Sequence, residues 1–316
     1  MRILRDKEIG LQGGILTMGT FDGVHEGHKY LLRHCRQLAQ THSTFTEVWI
    51  YHPHPRAILR KESIPLLTCI EERIERLQQE ELEQVRIVQF SDTFALQSAE
   101  TFIQEWIEAV ARPSAIVLGY DHRFGKGREG SVSLLAQRGY KVQTVPALEK
   151  AGGIVSSSRL RQLLTEGAVE AASDLLGYPF IIRGEVQRGK QEARQLGVPT
   201  ANLAWEPEKV RLPAGIYVGK AEIGRVLFPT QPALLYLSPE GILEAHLLGE
   251  ALYDLYGSFL TVSFLKFLRP HRAFASQKEL LEAIEADIQQ AWAYFRSEAP
   301  SRFDSTEKED GSRLRS

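Results

Sequence analysis

Two hydrophobic periods alternate along the first half of the chain. Gly14 to Met18 (GILTM) is a short apolar run that ends in a glycine-rich turn. Leu31, Leu32, Cys35, Leu38 and Ala39 then recur at helical spacing, and Phe45 to Tyr51 reads as a strand. Thr68 and Glu71 form a capping box ahead of a stripe of Ile70, Ile74 and Leu77. Val85 to Phe90 returns to strand, Phe102, Ile103, Trp106, Ile107 and Val110 mark a helix, and Ala115 to Leu118 a further strand. The alternation continues through Val145, which predicts parallel strands with helices on both faces, a Rossmann-like α/β domain. Two short helices, near Ser158–Thr165 and Val169–Leu176, would close it.

The texture changes after Gly177. From Tyr178 to His271 the chain has short β-branched and aromatic runs, such as Phe180-Ile181-Ile182 and Leu260 to Phe264, separated by Gly and Pro. Such runs predict a small antiparallel barrel or sandwich. Ser276 and Glu279 then open a helix with Leu281, Ile284, Ile288, Trp292 and Phe295 on one face. After Ser297 almost no apolar residue remains, and disorder is expected. The expected organisation is an α/β domain over 1–177, a β domain over 178–297 and a disordered tail over 298–316.

Composition narrows this picture. A chain of 316 residues, 43% hydrophobic and 25% charged, is an ordinary soluble globular protein. A net charge of −2 argues against partners held by counterion release, such as bulk nucleic acid or an acidic membrane. Small anionic ligands need only a local cluster of donors, so they stay open. No apolar run reaches the ~20 residues of a membrane span. The N-terminus, MRILRDKEIG, is too charged to be expected as a secretory signal. Cys35 and Cys69 form no CxxC pair, so neither a disulfide framework nor a zinc site is expected. A cytoplasmic protein is the expectation.

Two motifs are set aside. Gly184-x-x-x-x-Gly189-Lys190 nearly spells a phosphate-binding P-loop, but Gln191 stands where the magnesium-binding hydroxyl belongs, and the segment lies among strands. Gly125-Lys126-Gly127-Arg128-Glu129-Gly130 matches GxGxxG, yet charged side chains fill gaps that dinucleotide folds keep small. It is retained as a basic, mobile loop beside the substrate.

The chemistry concentrates after the first strand, in Gly19-Thr20-Phe21-Asp22-Gly23-Val24-His25-Glu26-Gly27-His28, which leads straight into a helix. Gly27 would let the backbone approach a ligand. His28 falls in the first helical turn, where free N–H groups and the dipole attract phosphate. Two surface histidines at a loop would be the plain alternative for a bare HxxH. The strand, the turn and the helix start favour a nucleotide.

This string resembles the HIGH signature of nucleotidylyltransferases, and more fully the N-terminal motif of prokaryotic bifunctional riboflavin kinase/FMN adenylyltransferases, the FAD synthetases. Pro53-His54-Pro55-Arg56 resembles the family's PHPR stretch, and Gly119 to Gly125 resembles GxDFRFG with His122 in place of Phe. Val155 to Arg161 (VSSSRLR) resembles ISSTRIR. The resemblance implies catalytic roles for His25, His28 and Arg159. It implies ATP contacts at Gly19, Thr20, Phe21, Asp22, Gly27, Ser156, Ser157 and Ser158, and flavin contacts at His54, Pro55, Arg56, Asp121, Arg123 and Phe124. The chemistry would be attack of the FMN phosphate on the α-phosphorus of ATP. That phosphate, with a second pKa of ~6, is already a dianion at pH 7, so positioning and charge neutralisation suffice. His52 and His54 fall short of a zinc site, and Mg²⁺ arriving with the nucleotide is the simpler expectation.

The second half resembles the family's riboflavin kinase domain, which implies an antiparallel β-barrel ending in a helix. Gly184-x-Val186-x-x-Gly189 and Arg194 to Leu203 (RQLGVPTANL) resemble its G-x-V-x-x-G and GRxLGFPTANL strings. The resemblance implies that Gly184, Gly189, Thr200 and Asn202 contact ATP, with Thr200 and Asn202 holding Mg²⁺. It assigns Glu244 as the base for the riboflavin 5′-hydroxyl. Asp254-Leu255-Tyr256-Gly257 and Leu268-Arg269 continue the match. Three departures stand out: Ala193 before Arg194, Gly249 where the family has Asp, and Ala233 to Gly241 in place of an NIGxRPTF segment. A second reading therefore keeps only the adenylyltransferase, with the barrel as a flavin-binding or regulatory module.

Overall fold

The computed structural model describes residues 1–188, 198–224, 230–249 and 255–298. The chain forms two compact units, Met1–Tyr178 with Pro207–Arg211, and Pro179–Glu206 with the chain from Leu212 on.

The first unit begins with β1 (Arg2–Arg5), β2 (Ile15–Gly19), α1 (Glu26–Thr41), β3 (Thr46–His52), α2 (Pro55–Arg60), α3 (Ile70–Gln78) and β4 (Gln84–Gln89). After α4 (Asp92–Ala95), helix α5 (Ala99–Phe102) widens into a π-helix over Ile103–Ala111. Then follow β5 (Ala115–Gly119), α6 (Val132–Gln137), β6 (Val142–Val145), the two-residue strands β7 (Glu149–Lys150) and β8 (Gly153–Ile154), α7 (Ser157–Thr165) and α8 (Val169–Leu176). Strands β1 to β6 form one parallel sheet in the order β1-β4-β3-β2-β5-β6. Ile15, Leu16 and Met18 are buried on both faces of β2, as helix-covered parallel strands require. The chain winds outward through β3 and β4 and then returns to the other side of β2 with β5. That reversal opens a crevice at the carboxyl ends of β2 and β5.

Strand β1 escapes the hydrophobic pattern because it is four residues long with only Leu4 buried. The expected capping box is shifted by one residue. Cys69 is the N-cap of α3, and its N–H donates to Glu72 (3.2 Å). Thr68 is turned inward, where its hydroxyl accepts from Gly23 N–H (3.0 Å).

The second unit is a closed antiparallel barrel, which decides between barrel and sandwich. Its strands are β9 (Phe180–Gln187), β10 (Ala201–Ala204), β11 (Gly215–Ile223), β12 (Gln231–Leu237), β13 (Ile242–Leu247) and β14 (Phe259–Pro270), in the order β10-β13-β12-β11-β14-β9. Helix α9 (Gln277–Glu298) rests on β11 and β12. Its innermost line is Ala283, Asp287 and Ala291, whereas Leu281, Ile284, Ile288, Trp292 and Phe295 are half-buried beside it. Small residues bring the helix close, and Asp287 takes the Arg269 guanidinium from β14 (2.7 Å). Gly189, Lys190, Gln191, Ala193, Arg194, Asp254 and the tail from 299 lie outside the described residues.

Candidate active site

The turn after β2 is strained. Phe21 (φ 50°), Gly23 (φ 86°) and Val24 (φ 35°) all take left-handed backbone conformations. Gly23 takes this conformation freely, but for Phe21 and the β-branched Val24 it is uncommon and costs about 1–3 kcal/mol each. Burial holds the turn, since Phe21 is 1% and Val24 0% exposed. The Asp22 carboxylate holds it from below. It accepts from the amides of Leu67 (3.1 Å) and Thr68 (3.0 Å), and from Arg161 (2.5 Å) and Arg73 (3.4 Å). Burial alone would raise the Asp22 carboxyl, but Arg73, Arg161 and those amides hold it below the usual carboxylate range. Arg73 also donates to Thr20 O (3.0 Å), and the Tyr178 hydroxyl donates to Gly23 O.

The turn delivers His25 as the N-cap of α1, where its Nδ1 accepts from His28 N–H (3.3 Å). The neutral ring then carries its proton on Nε2. His28 stacks on His25, with ring centres 3.7 Å apart at 16°. Burial pushes His25 down to about 4 and His28 well below its ordinary value, so both are neutral at pH 7. Gly27 is needed because a Cβ there would stand 3.0 Å from Val155 O, so its close approach is to α7's lead-in.

A cavity of about 630 Å³ opens above this pair. Its wall brings together Gly19, Thr20, Phe21, His25, Gly27 and His28 with the three serines Ser156, Ser157 and Ser158. It also includes His54, Pro55 and Arg56 at the start of α2, and Asp121, Arg123 and Phe124 after β5. Ser156 caps α7 by accepting from Arg159 N–H (3.3 Å), and Ser157 donates to Asp22 O (3.0 Å). His54 accepts from Arg56 N–H (3.1 Å), and burial lowers it to about 4. The basic loop also lines the cavity, through Gly125, Gly127 and Arg128.

Two expected residues are not in this wall. Asp22 is buried beneath the turn. Arg159 spends its guanidinium on the carbonyls of Lys150 (2.8 Å), Ala151 (2.6 Å) and Gly153 (2.9 Å), clamping the β7–β8 hairpin. Arg161 lines the cavity instead, since residues two apart face different sides of a helix. The string VSSSRLR offers two arginines, and only helical phase from the Ser156 cap separates them. The cavity also has an aromatic wall of Tyr51, Phe90, Phe94 and Phe102, which the hydrophobic pattern does not signal, since it marks Tyr51 and Phe90 only as strand positions and Phe102 only as a helix position. His122 lines the same cavity, and burial lowers it to about 4.

In the barrel, Thr200 Oγ1 donates to Glu244 Oε2 (3.1 Å). Asn202 lies directly opposite Glu244 in the β10–β13 register. Gly184 is on β9, where a Cβ would meet Ala204 O at an ordinary 3.7 Å. The stretch that replaces NIGxRPTF forms most of β12 and pairs with both β11 and β13. Tyr236 on β12 lies opposite Glu244, and its hydroxyl is raised by burial and by that carboxylate. The departure in sequence thus leaves the barrel closed.

Comparisons with known proteins agree on both halves. Residues 8–159 match the FAD synthetase family and residues 176–295 the riboflavin kinase family. The bifunctional riboflavin kinase/FMN adenylyltransferase of Buchnera aphidicola is 32% identical, over 93% of this chain and 98% of the relative. The enzymes of the same name from Bacillus subtilis and Escherichia coli are each 31% identical, over 89% and 92% of this chain and 92% and 95% of their own. A crystal structure described as a macrolide-efflux protein from Streptococcus pneumoniae has a TM-score of 0.83 and 27% identity, covering 93% of this chain and 99% of that one. The efflux name belongs to that protein, and among the described residues here no helix is long and apolar enough to cross a membrane. With both family matches in order and relatives aligned over nearly their whole length, the chain belongs to the bifunctional riboflavin kinase/FMN adenylyltransferase family.

Proposed function

We propose that the chain makes FMN from riboflavin and ATP in its C-terminal domain, residues 178–297, and FAD from FMN and ATP in its N-terminal domain, residues 1–177. The observation that carries the second activity is one cavity combining a neutral histidine pair at a helix start, a serine-rich second helix start and an aromatic wall. The FMN phosphate attacks the α-phosphorus of ATP, the new P–O bond replaces the bond to pyrophosphate, and no base is needed. His25 and His28 serve as N–H donors to ATP phosphates, because neutral imidazoles bring hydrogen bonds without charge. Ser156, Ser157 and Ser158 line the subsite for the β- and γ-phosphates. Arg161, Arg123 and Arg128 supply positive charge, and Arg159 shapes the neighbouring hairpin. The flavin lies against His54, Pro55, Arg56, Asp121 and Phe124.

In the barrel, Glu244 takes the proton from the riboflavin 5′-hydroxyl as it attacks the γ-phosphorus of ATP, and the new P–O bond replaces the bond to ADP, which leaves. Thr200, Asn202 and Glu244 offer a hydroxyl, an amide and a carboxylate, an all-oxygen set that fits Mg²⁺. Bound there, Mg²⁺ would neutralise charge on the ATP phosphates. The substrates are small molecules handled in the cytoplasm, and the net charge of −2 supports a protein with no nucleic-acid or membrane partner.

The test is an endpoint assay on purified protein with ATP and Mg²⁺, started separately from riboflavin and from FMN. FAD from both starts is expected. FAD from FMN alone would leave the barrel as a non-catalytic module.

A further inference from the structure

Among the fully buried ion pairs that the described residues form outside the cavity wall, that of Glu72 and Lys209 joins the residues farthest apart in sequence. Lys209 Nζ lies 2.9 and 2.8 Å from the two carboxylate oxygens of Glu72, and both side chains are 1% exposed. Lys209 belongs to Pro207–Arg211, the short piece of the C-terminal sequence that packs as part of the N-terminal unit. That piece is fixed to Leu66 by two backbone bonds, Leu66 N–H to Glu208 O (2.7 Å) and Val210 N–H to Leu66 O (2.9 Å). A buried ion pair adds little stability over apolar residues of the same size, so stability alone does not account for it.

Its neighbours lead to the cavity. Glu72 also accepts from Cys69 N–H (3.2 Å), which sets the first turn of α3. The next residue, Arg73, reaches Asp22 (3.4 Å) and Thr20 O (3.0 Å). Leu67 and Thr68, which follow the bonded Leu66, give their amides to Asp22 (3.1 and 3.0 Å). Residues 66–73 are therefore gripped by Lys209 and Glu208 on one side and carry the strained turn ahead of His25 on the other. We infer that Lys209 and Glu72 are positioning residues of the adenylyl-transfer site, holding residues 66–73 so that the Gly19–Val24 turn presents His25 and His28 to ATP. This rests on the proposal that adenylyl transfer takes place in that cavity.

The test uses the full chain carrying Lys209→Met, and the double change Lys209→Met/Glu72→Met, with His28→Ala as reference. Lys209→Met leaves a buried carboxylate without its partner. FAD formation should fall roughly a hundredfold, with KM for ATP rising more than KM for FMN, while FMN formation from riboflavin is unchanged. The double variant removes both charges and should melt near the wild-type temperature. Its FAD formation should nevertheless stay at least about tenfold down, because the register set by the pair is gone. A role in folding alone would restore both together. A double variant that makes FAD at the wild-type rate, or one that loses FMN and FAD formation in parallel, would overturn the inference. If His28→Ala still makes FAD, the cavity assignment fails first, whatever Lys209 does.

Discussion

At His25 one ring nitrogen is committed to the α1 backbone, which leaves only the Nε2–H, on an uncharged ring, to donate. Replacing His28 by Ala should abolish FAD formation and spare FMN formation. Glu244→Ala should do the reverse, with the three flavins separated chromatographically from each start. The two arginines of α7 are expected to differ. Arg161→Ala removes a cation from the cavity wall and a partner from Asp22, so it should reduce FAD formation far more than Arg159→Ala. Steady-state rates of the two variants check this. At this scale the sequence was legible for placement where a residue type is bound to its motif, since His25 and His28 line one cavity and Thr200 reaches Glu244. It was less legible where two candidates of one type stand close together. Arg159 and Arg161 differ in phase on a helix whose start is set by Ser156, and no motif string encodes phase.

Among the elements, β2, β3 and β5 were legible because each holds a mostly apolar run, and β4 because Val85, Ile87 and Val88 flank its one charged residue. The β1 edge was not, because what holds it is polar. Arg86 on β4, 0% exposed, donates to Glu47 on β3 (3.0 Å) and to the carbonyls of Asp6 (2.8 Å) and Glu8 (2.7 Å), which follow β1. A charged residue inside a strand reads as solvent-facing until its partner is known. Arg86→Met should strand the Glu47 carboxylate and destabilise the N-terminal unit by about 3–5 kcal/mol, measured by urea unfolding. Trp49, whose indole N–H donates to Glu47 (2.7 Å), supplies the fluorescence probe. Helix α9 makes a similar point. Counting large apolar residues chose a face beside the innermost one, because Ala283 and Ala291 earn their place by being small.

Over the whole molecule, the division into an α/β half and a β half was legible from the change of period near Gly177. The crevice at the sheet's reversal was implicit in the order of elements. Acid should tell the two halves apart. Burial holds His25, His54 and His122, all in the N-terminal unit, near 4 against an ordinary 6.5. The unfolded chain binds those protons first. That contribution to stability is therefore complete above about 6.5 and is lost as the pH falls toward 4. Brief heating of the full chain at pH 5 and at pH 7.5, followed by assay at pH 7.5, should show FAD-forming capacity lost at a lower temperature after the acid treatment. FMN-forming capacity should shift less.

The return of Pro207–Arg211 to the N-terminal unit has a consequence for how such a protein can be taken apart. No single cut separates its two enzymes cleanly. A fragment ending at Tyr178 leaves Glu72 facing an empty slot where a cation belongs, and its complement carries off the missing lysine. Separating the two activities of this chain therefore calls for substitutions within it and not for truncation.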